Sequence, residues 1–186
     1  MLLEVICTDP KRGDVKYFVS PFVFTPEALK TFWEKSSKYP VLFGEDIRQN
    51  FDKFSNIFIG QSTNGEFFSK GLVWRIDTET EDLVGVFFMT DFNFPCEATV
   101  HFNFLDGRIR GRVPLAKEML KYVFERYEFE RLNASLPTYV KGSARYFIRE
   151  LCFMTEGKKR NAAKFDDKLW DVIQYGILKS EVLNGS

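Results

Sequence analysis

Apolar residues arrive in short bursts along most of this chain and take up helical spacing in only a few segments. The first burst, Leu2–Cys7, reads as a strand, and a polar turn at Asp9–Asp14 separates it from a second, Tyr17–Phe24. Thr25-Pro26-Glu27 then opens a helix. The threonine hydroxyl can cap it, proline suits the first helical position, and an acid in the first turn meets the positive end of the helix dipole. Leu29, Phe32 and Trp33 form its apolar stripe, and Gly44–Phe54 predicts a second helix with Ile47, Phe51 and Phe54 on one face. Strand and turn follow: Asn56–Gln61 and Glu66–Asp77 on either side of Ser62–Gly65, then Leu83–Thr90 after the turn Thr78–Asp82, then Glu97–Leu105. The last part changes character. Helix Pro114–Tyr127, with Ala116, Leu120, Val123 and Tyr127 on one side, precedes strand Arg131–Leu136 and a helix over about Lys141–Leu151. Strand Cys152–Glu156, a loop and a closing strand Leu169–Leu178 complete the chain. This order predicts an α/β protein with a mixed, mostly antiparallel sheet and helices on both faces, built as a single domain over residues 1–186.

Composition narrows the function classes. The chain's 186 residues are 45% hydrophobic, which gives room for a real core. Aromatic content is 17%, mostly 21 phenylalanines, and such rings either pack a core or serve as stacking platforms for single-stranded nucleic acid. The 26 basic residues balance 26 acidic ones, so no bulk field draws the chain to nucleic acid or an anionic membrane. Cys7, Cys96 and Cys152 are scattered among apolar residues and read as reduced core thiols, not as a disulfide frame or metal site. No apolar run reaches transmembrane length, and the opening MLLEVICTDPKRGD meets acid and proline too soon for a signal peptide. A cytoplasmic protein is expected.

The segment with the most chemistry is Phe102–Glu118. An apolar strand runs into a turn holding Arg108, Arg110 and Arg112 around Gly111, and a helix leaves from Pro114. Gly111 lets the backbone approach a ligand, and the first helical turn offers N–H groups with no partner in the helix. With three arginines around it, this is an anion site suited to phosphate or pyrophosphate. A surface turn with chance arginines is the plain alternative.

These elements and motifs resemble the GNAT superfamily of acetyl-CoA-dependent N-acetyltransferases, and within it the branch of the ribosomal-protein N-terminal acetyltransferases. The superfamily's pyrophosphate signature, [QR]-x-x-G-x-[GA], aligns with Arg108-Ile109-Arg110-Gly111-Arg112-Val113, and Glu118 matches an acid that this branch carries in the helix. The N-x-x-S…G-F signature aligns with Val140-Lys141-Gly142-Ser143 and Cys152-Phe153, followed by Glu156-Gly157, Arg160 and Asp171-Val172-Ile173. The resemblance covers roughly residues 83–180. Four positions depart from it. Val113 stands where the family has a small residue, Val140 for asparagine, Cys152 for glycine, and Ile148 for a tyrosine used as general acid.

The resemblance implies a fold with a parallel strand pair at the cofactor site and direct acetyl transfer to a primary amine of a protein, peptide or small molecule. Phe102, Asn103 and Phe104 would bind the pantetheine arm through main-chain atoms, and Arg108, Ile109, Arg110, Gly111, Arg112 and Val113 the pyrophosphate of acetyl-CoA. A homodimer through the last strands is also implied. His101, the only histidine, has an ordinary pKa of about 6.5 and suits a general base; a half-buried histidine bonded to a neighbour is the alternative. Glu97 on the same strand is the other candidate base. Ser143 takes the place implied for protonating the coenzyme thiolate, or simply starts a helix. A catalytically inactive binding or structural module of the same fold is the competing reading, since all four departures fall on positions tied to cofactor or catalysis.

Overall fold

A computed structural model describes residues 3–9, 13–39, 42–43, 45–80, 82–106, 109–140 and 142–184. Leu2, residues 10–12 of the predicted first turn, Gly44, Glu81, Arg108 and Lys141 lie outside the described residues. The elements are β1 (Leu3–Asp9), β2 (Gly13–Pro21), α1 (Pro26–Ser36), α2 (Glu45–Arg48), α3 (Phe51–Phe58), β3 (Ile59–Gln61), β4 (Phe67–Ser69) and β5 (Leu72–Thr78). They continue with β6 (Leu83–Asn93), β7 (Glu97–Phe104), α4 (Arg112–Arg126), β8 (Arg131–Pro137), α5 (Gly142–Glu150), β9 (Met154–Phe165), β10 (Lys168–Leu178) and α6 (Lys179–Leu183). Eight strands form one sheet in the order β1-β2-β5-β6-β7-β8-β10-β9, and β3–β4 form a sheet of their own. The pairs β2–β5, β5–β6, β8–β10 and β10–β9 are antiparallel, whereas β7 and β8 are parallel. The expected mixed α/β sheet with one parallel pair is the fold.

Local chemistry explains where the elements begin. Thr25 Oγ1 accepts the Ala28 N–H at 3.1 Å, and Pro26 takes the first helical position. Asn50 caps α3 in the same way, accepting the Lys53 N–H at 2.9 Å. This cap splits the helix expected over Gly44–Phe54 in two and carries α3 on to Phe58, through residues expected to start a strand. β9 also exceeds its expected length, running 12 residues through mostly exposed polar positions.

The described residues fall into two compact units. One comprises Met1–Glu4, Tyr17–Thr90 and Phe102–Ile109. Its core joins Phe32, Phe54 and Phe58 of the helices with Val73, Val86 and Phe88 of the strands and with Phe22 and Leu105, which follow β2 and β7. Phe32 meets Phe54 edge-on at 5.1 Å, and Phe58 meets Phe88 likewise at 5.1 Å. Edge-to-face packing suits the ring quadrupoles and accounts for these core phenylalanines, while Phe67 and Phe68 of the same unit stay exposed.

The second unit comprises Val5–Lys16, Asp91–His101 and Arg110–Ser186. There α4 buries Leu115, Ala116, Met119, Leu120, Val123 and Phe124, while β8 buries Leu132 and Ala134. Of the three free thiols only Cys7 is buried; Cys96 and Cys152 are exposed, which corrects their reading as core residues. Both sit in turns, where a neighbouring apolar residue does not imply burial. No helix among the described residues is long and apolar enough to cross a membrane.

Candidate functional site

The parallel register of β7 and β8 runs over three residue pairs, Glu97–Arg131, Ala98–Leu132 and Thr99–Asn133. Both strands continue past it, β7 through Val100 and His101 and β8 through Ala134 to Pro137, where β8 is paired on its other side with β10. Polar side chains lock the paired end. Asn133 Nδ2 donates to Glu97 Oε2 at 2.9 Å, and Arg131 Nε donates to Asn133 Oδ1 at 3.1 Å. The Arg131 guanidinium also pairs with Glu156, in space that a Cβ at Gly176 would occupy. Glu97, one of the two candidate bases, is therefore held in an ion-pair network.

His101 lies half-buried farther along β7. Loss of surrounding water pulls its pKa down to about 4, against the opposing pull of the Asp91 carboxylate. The value near 6.5 expected from the sequence does not hold, because the strand places the imidazole where its cation is poorly solvated. At pH 7 the ring is neutral.

Beyond His101 the strand enters the other unit. Phe102 packs against Phe87 with ring centroids 4.7 Å apart and the planes tilted by 34°. Asn103 is only 6% exposed, and its Nδ2 has no hydrogen-bond partner. Phe104 stays half-exposed, and Ile109 N donates to Asp106 O at 3.2 Å, closing a turn. Arg108 lies outside the described residues.

Arg110, Gly111, Arg112 and Val113 come together at the start of α4 in the second unit. Gly111 has φ +60°, the left-handed region that favours glycine, and a Cβ there would overlap the Cβ of Cys7 and lie 3.0 Å from its Sγ. The glycine is thus required by the close approach of Cys7. Gly111 O accepts the Leu115 N–H at 2.9 Å, the first bond of the helix. Pro114 contributes no N–H, so Arg112 and Val113 carry the backbone N–H groups at the first helical positions. Two half-exposed arginines and two such amides suit a pyrophosphate. Burial pushes the Cys7 thiol pKa up, with Glu118 adding to the rise and the Leu115 N–H opposing it, so the thiol is neutral beside these groups.

Ser143 is exposed in the first turn of α5. The same helix carries a feature the sequence reading missed. Arg145 and Arg149, with Tyr146, Phe153, Thr155 and Tyr175, line a cleft of about 430 Å³ that holds no carboxylate. Arg145 Nη2 donates to Thr138 O at 2.8 Å, and the Arg149 guanidinium lies 5.3 Å from the centre of the Tyr146 ring. Their i, i+4 spacing was visible in the sequence. Among the described residues no group of three His, Cys, Asp or Glu side chains could hold a metal ion.

With this geometry in place, the comparison with solved structures is informative. A chimera of the Vibrio cholerae spermidine N-acetyltransferase SpeG and hSSAT matches with TM-score 0.71 at 16% identity, over 89% of this chain and 98% of that one. The chain shares its fold. The V. cholerae spermidine/spermine N-acetyltransferase SpeG in complex with manganese ions matches with TM-score 0.66 at 16% identity, covering 90% of this chain and 96% of that chain. A dodecameric structure of the V. cholerae spermidine N-acetyltransferase matches with TM-score 0.67 at 14% identity, covering 90% and 98%. No protein-family profile matches the chain, and no curated protein matches it in sequence.

Proposed function

We propose that the chain is a single-domain, cytoplasmic N-acetyltransferase of the GNAT superfamily, transferring acetyl from acetyl-CoA to a primary amine. The observation that carries this reading is the pairing of two features. A parallel register ends after three pairs while both strands run on, and a glycine turn with Arg110 and Arg112 starts the next helix. The shared fold with acetyltransferases supports it. The neighbours are spermidine N-acetyltransferases, which makes spermidine the first acceptor to test, and the dodecameric neighbour favours a homo-oligomer.

Acetyl-CoA would supply an acetyl group activated as a thioester. The Arg112 and Val113 amides, with Arg110, Arg112 and Arg108, would hold its pyrophosphate, and the main chain of Phe102–Phe104 its pantetheine arm. In the transfer the amine nitrogen bonds to the acetyl carbon as the carbon–sulfur bond breaks. The amine loses a proton and the leaving sulfur gains one. His101, neutral at pH 7, is weakly basic, and takes the amine's proton only as the C–N bond forms and the nitrogen becomes acidic. The exposed Ser143 hydroxyl donates to the sulfur.

An inactive module of the same fold is the second reading, favoured by the branched side chain of Val113 beside the donors and by Val140, which is buried and offers no side-chain amide. Calorimetric titration with acetyl-CoA, with adenosine 3′,5′-bisphosphate as competitor, decides between them. Saturable binding that the competitor displaces, weakened about tenfold or more in Arg112→Glu, is the outcome expected of the enzyme. Absence of binding at millimolar coenzyme would favour the module.

A further inference from the structure

Along α5, Gly142, Arg145, Tyr146 and Arg149 recur at the spacing that puts residues on one helical face. With Phe153, Thr155 and Tyr175 they line a cleft of about 430 Å³ in the unit that holds α5, β9 and β10. Phe153 and Tyr175, only 6% and 9% exposed, give it an apolar floor. Thr155 sits at the start of β9, the last strand of the sheet, and adds a hydroxyl. None of the residues proposed for the coenzyme or for acetyl transfer lines the cleft, and Ser143 falls outside its helical stripe.

Three observations point to an anion as the ligand. Like charges four residues apart on a helix repel one another, and no carboxylate among the lining residues offsets Arg145 and Arg149. Both side chains are held against the protein. Arg145 Nη2 donates to Thr138 O at 2.8 Å, and the Arg149 guanidinium lies 5.3 Å from the centre of the Tyr146 ring. Side chains already fixed in this way lose little freedom when a ligand arrives. The third observation is the local balance of charge. The whole chain is neutral, yet residues 141–160 hold six basic and two acidic side chains, and one of the acids, Glu156, is paired with Arg131. The field around this stretch is therefore positive and favours the approach of an anion.

We infer that this cleft binds a phosphate monoester, its doubly charged head between Arg145 and Arg149 and its organic body against Tyr146 and Tyr175. Planar guanidinium forks match the oxygens of a phosphate, and a dianion meets two positive charges where a carboxylate brings one. The volume lies within the range of about 300–1,000 Å³ usual for small-molecule sites, more than the phosphate alone would fill. The site does not depend on the acetyl-transfer reading.

Phenyl phosphate is the probe, titrated calorimetrically into the full chain above the second phosphate pKa of about 6. Saturable one-to-one binding is expected, weakened about tenfold or more in Arg145→Gln and in Arg149→Gln. Phenyl sulfate, of the same shape with one charge fewer, binds about tenfold more weakly. The turn before α4 is the competing anion site, so the titration is repeated in Arg112→Glu and with saturating acetyl-CoA. Affinity stays unchanged in both, and in Lys121→Gln, which removes an exposed cation elsewhere. The Arg112→Glu titration separates the two sites whether or not the chain binds coenzyme. Binding that does not saturate, that survives both Arg145→Gln and Arg149→Gln, or that is lost in Arg112→Glu would overturn the assignment. So would equal affinity for phenyl sulfate, or equal weakening in Lys121→Gln. Displacement by acetyl-CoA would also overturn it, since the cleft would then belong to the coenzyme's own 3′-phosphate.

Discussion

His101 shows how far the chemistry of one residue depends on its surroundings. Its folded pKa of about 4 lies below its unfolded value of about 6.5, so above pH 6.5 the ring is neutral in both states and contributes no pH dependence. As pH falls below that, the unfolded chain takes up a proton that the folded chain refuses, and stability is lost down to about pH 4. The loss is at most about 3 kcal/mol, and urea unfolding of the wild type against His101→Gln should show it as a gap opening between pH 6.5 and 4. By the same shift, turnover should show no inflection near pH 6.5; an inflection there that vanishes in His101→Gln would mean the imidazole titrates normally. Gly111 makes the second case. Its left-handed φ and the contact with Cys7 mean that Gly111→Ala combines backbone strain with a steric overlap. A loss of about 2–3 kcal/mol in denaturant unfolding is expected, whether or not coenzyme binds. A coenzyme test through Gly111 would therefore be confounded by folding, and Arg112 is the better position to change.

At the scale of elements, the end of α5 carries a stored cost. Cys152 has φ +65°, and its N–H donates to Arg149 O at 2.9 Å while Phe153 N donates to Ile148 O at 3.3 Å. This is the left-handed termination that glycine makes most readily, and the family resemblance places glycine at this position. Cys152→Gly should raise stability by about 1 kcal/mol, measured as a shift in urea midpoint with unchanged slope; an unchanged or lower midpoint would show that the thiol compensates for the strain. Elements with strong local signals were legible in the sequence. Thr25-Pro26 marked the start of α1, and the buried stripe of α4 marked that helix within two residues of its start. β9 was legible only at its start, where the strand expected at Cys152–Glu156 overlaps it, because both its faces are largely exposed and no apolar alternation marks the rest. The β3–β4 hairpin was half legible: Ser62–Gly65 announced the turn, but the strands around it are too short and too aromatic to be told from a helix end on one side and a long strand on the other.

For the whole molecule, the proposed activity leads to a direct assay. Acetyl-CoA with spermidine should yield free coenzyme thiol at a rate that falls about tenfold or more in Ser143→Ala, with coenzyme affinity unchanged. A normal rate in that variant would leave Ser143 as a helix-start residue only. The start of α1, the glycine turn before α4 and the candidate residues along β7 could be read from periodicity, caps and motif spacing, since those are local properties of the chain. Tertiary structure decided what each residue there can do. Burial lowered the pKa of His101, the β7–β8 register committed Glu97 to Arg131 and Asn133, and Cys7, over a hundred positions away in sequence, set the need for glycine at 111. It also joined Arg145 and Arg149 with Thr155 and Tyr175 in one cleft. Solvation and close contact depend on residues far apart in the chain, so neither could be read from sequence spacing alone.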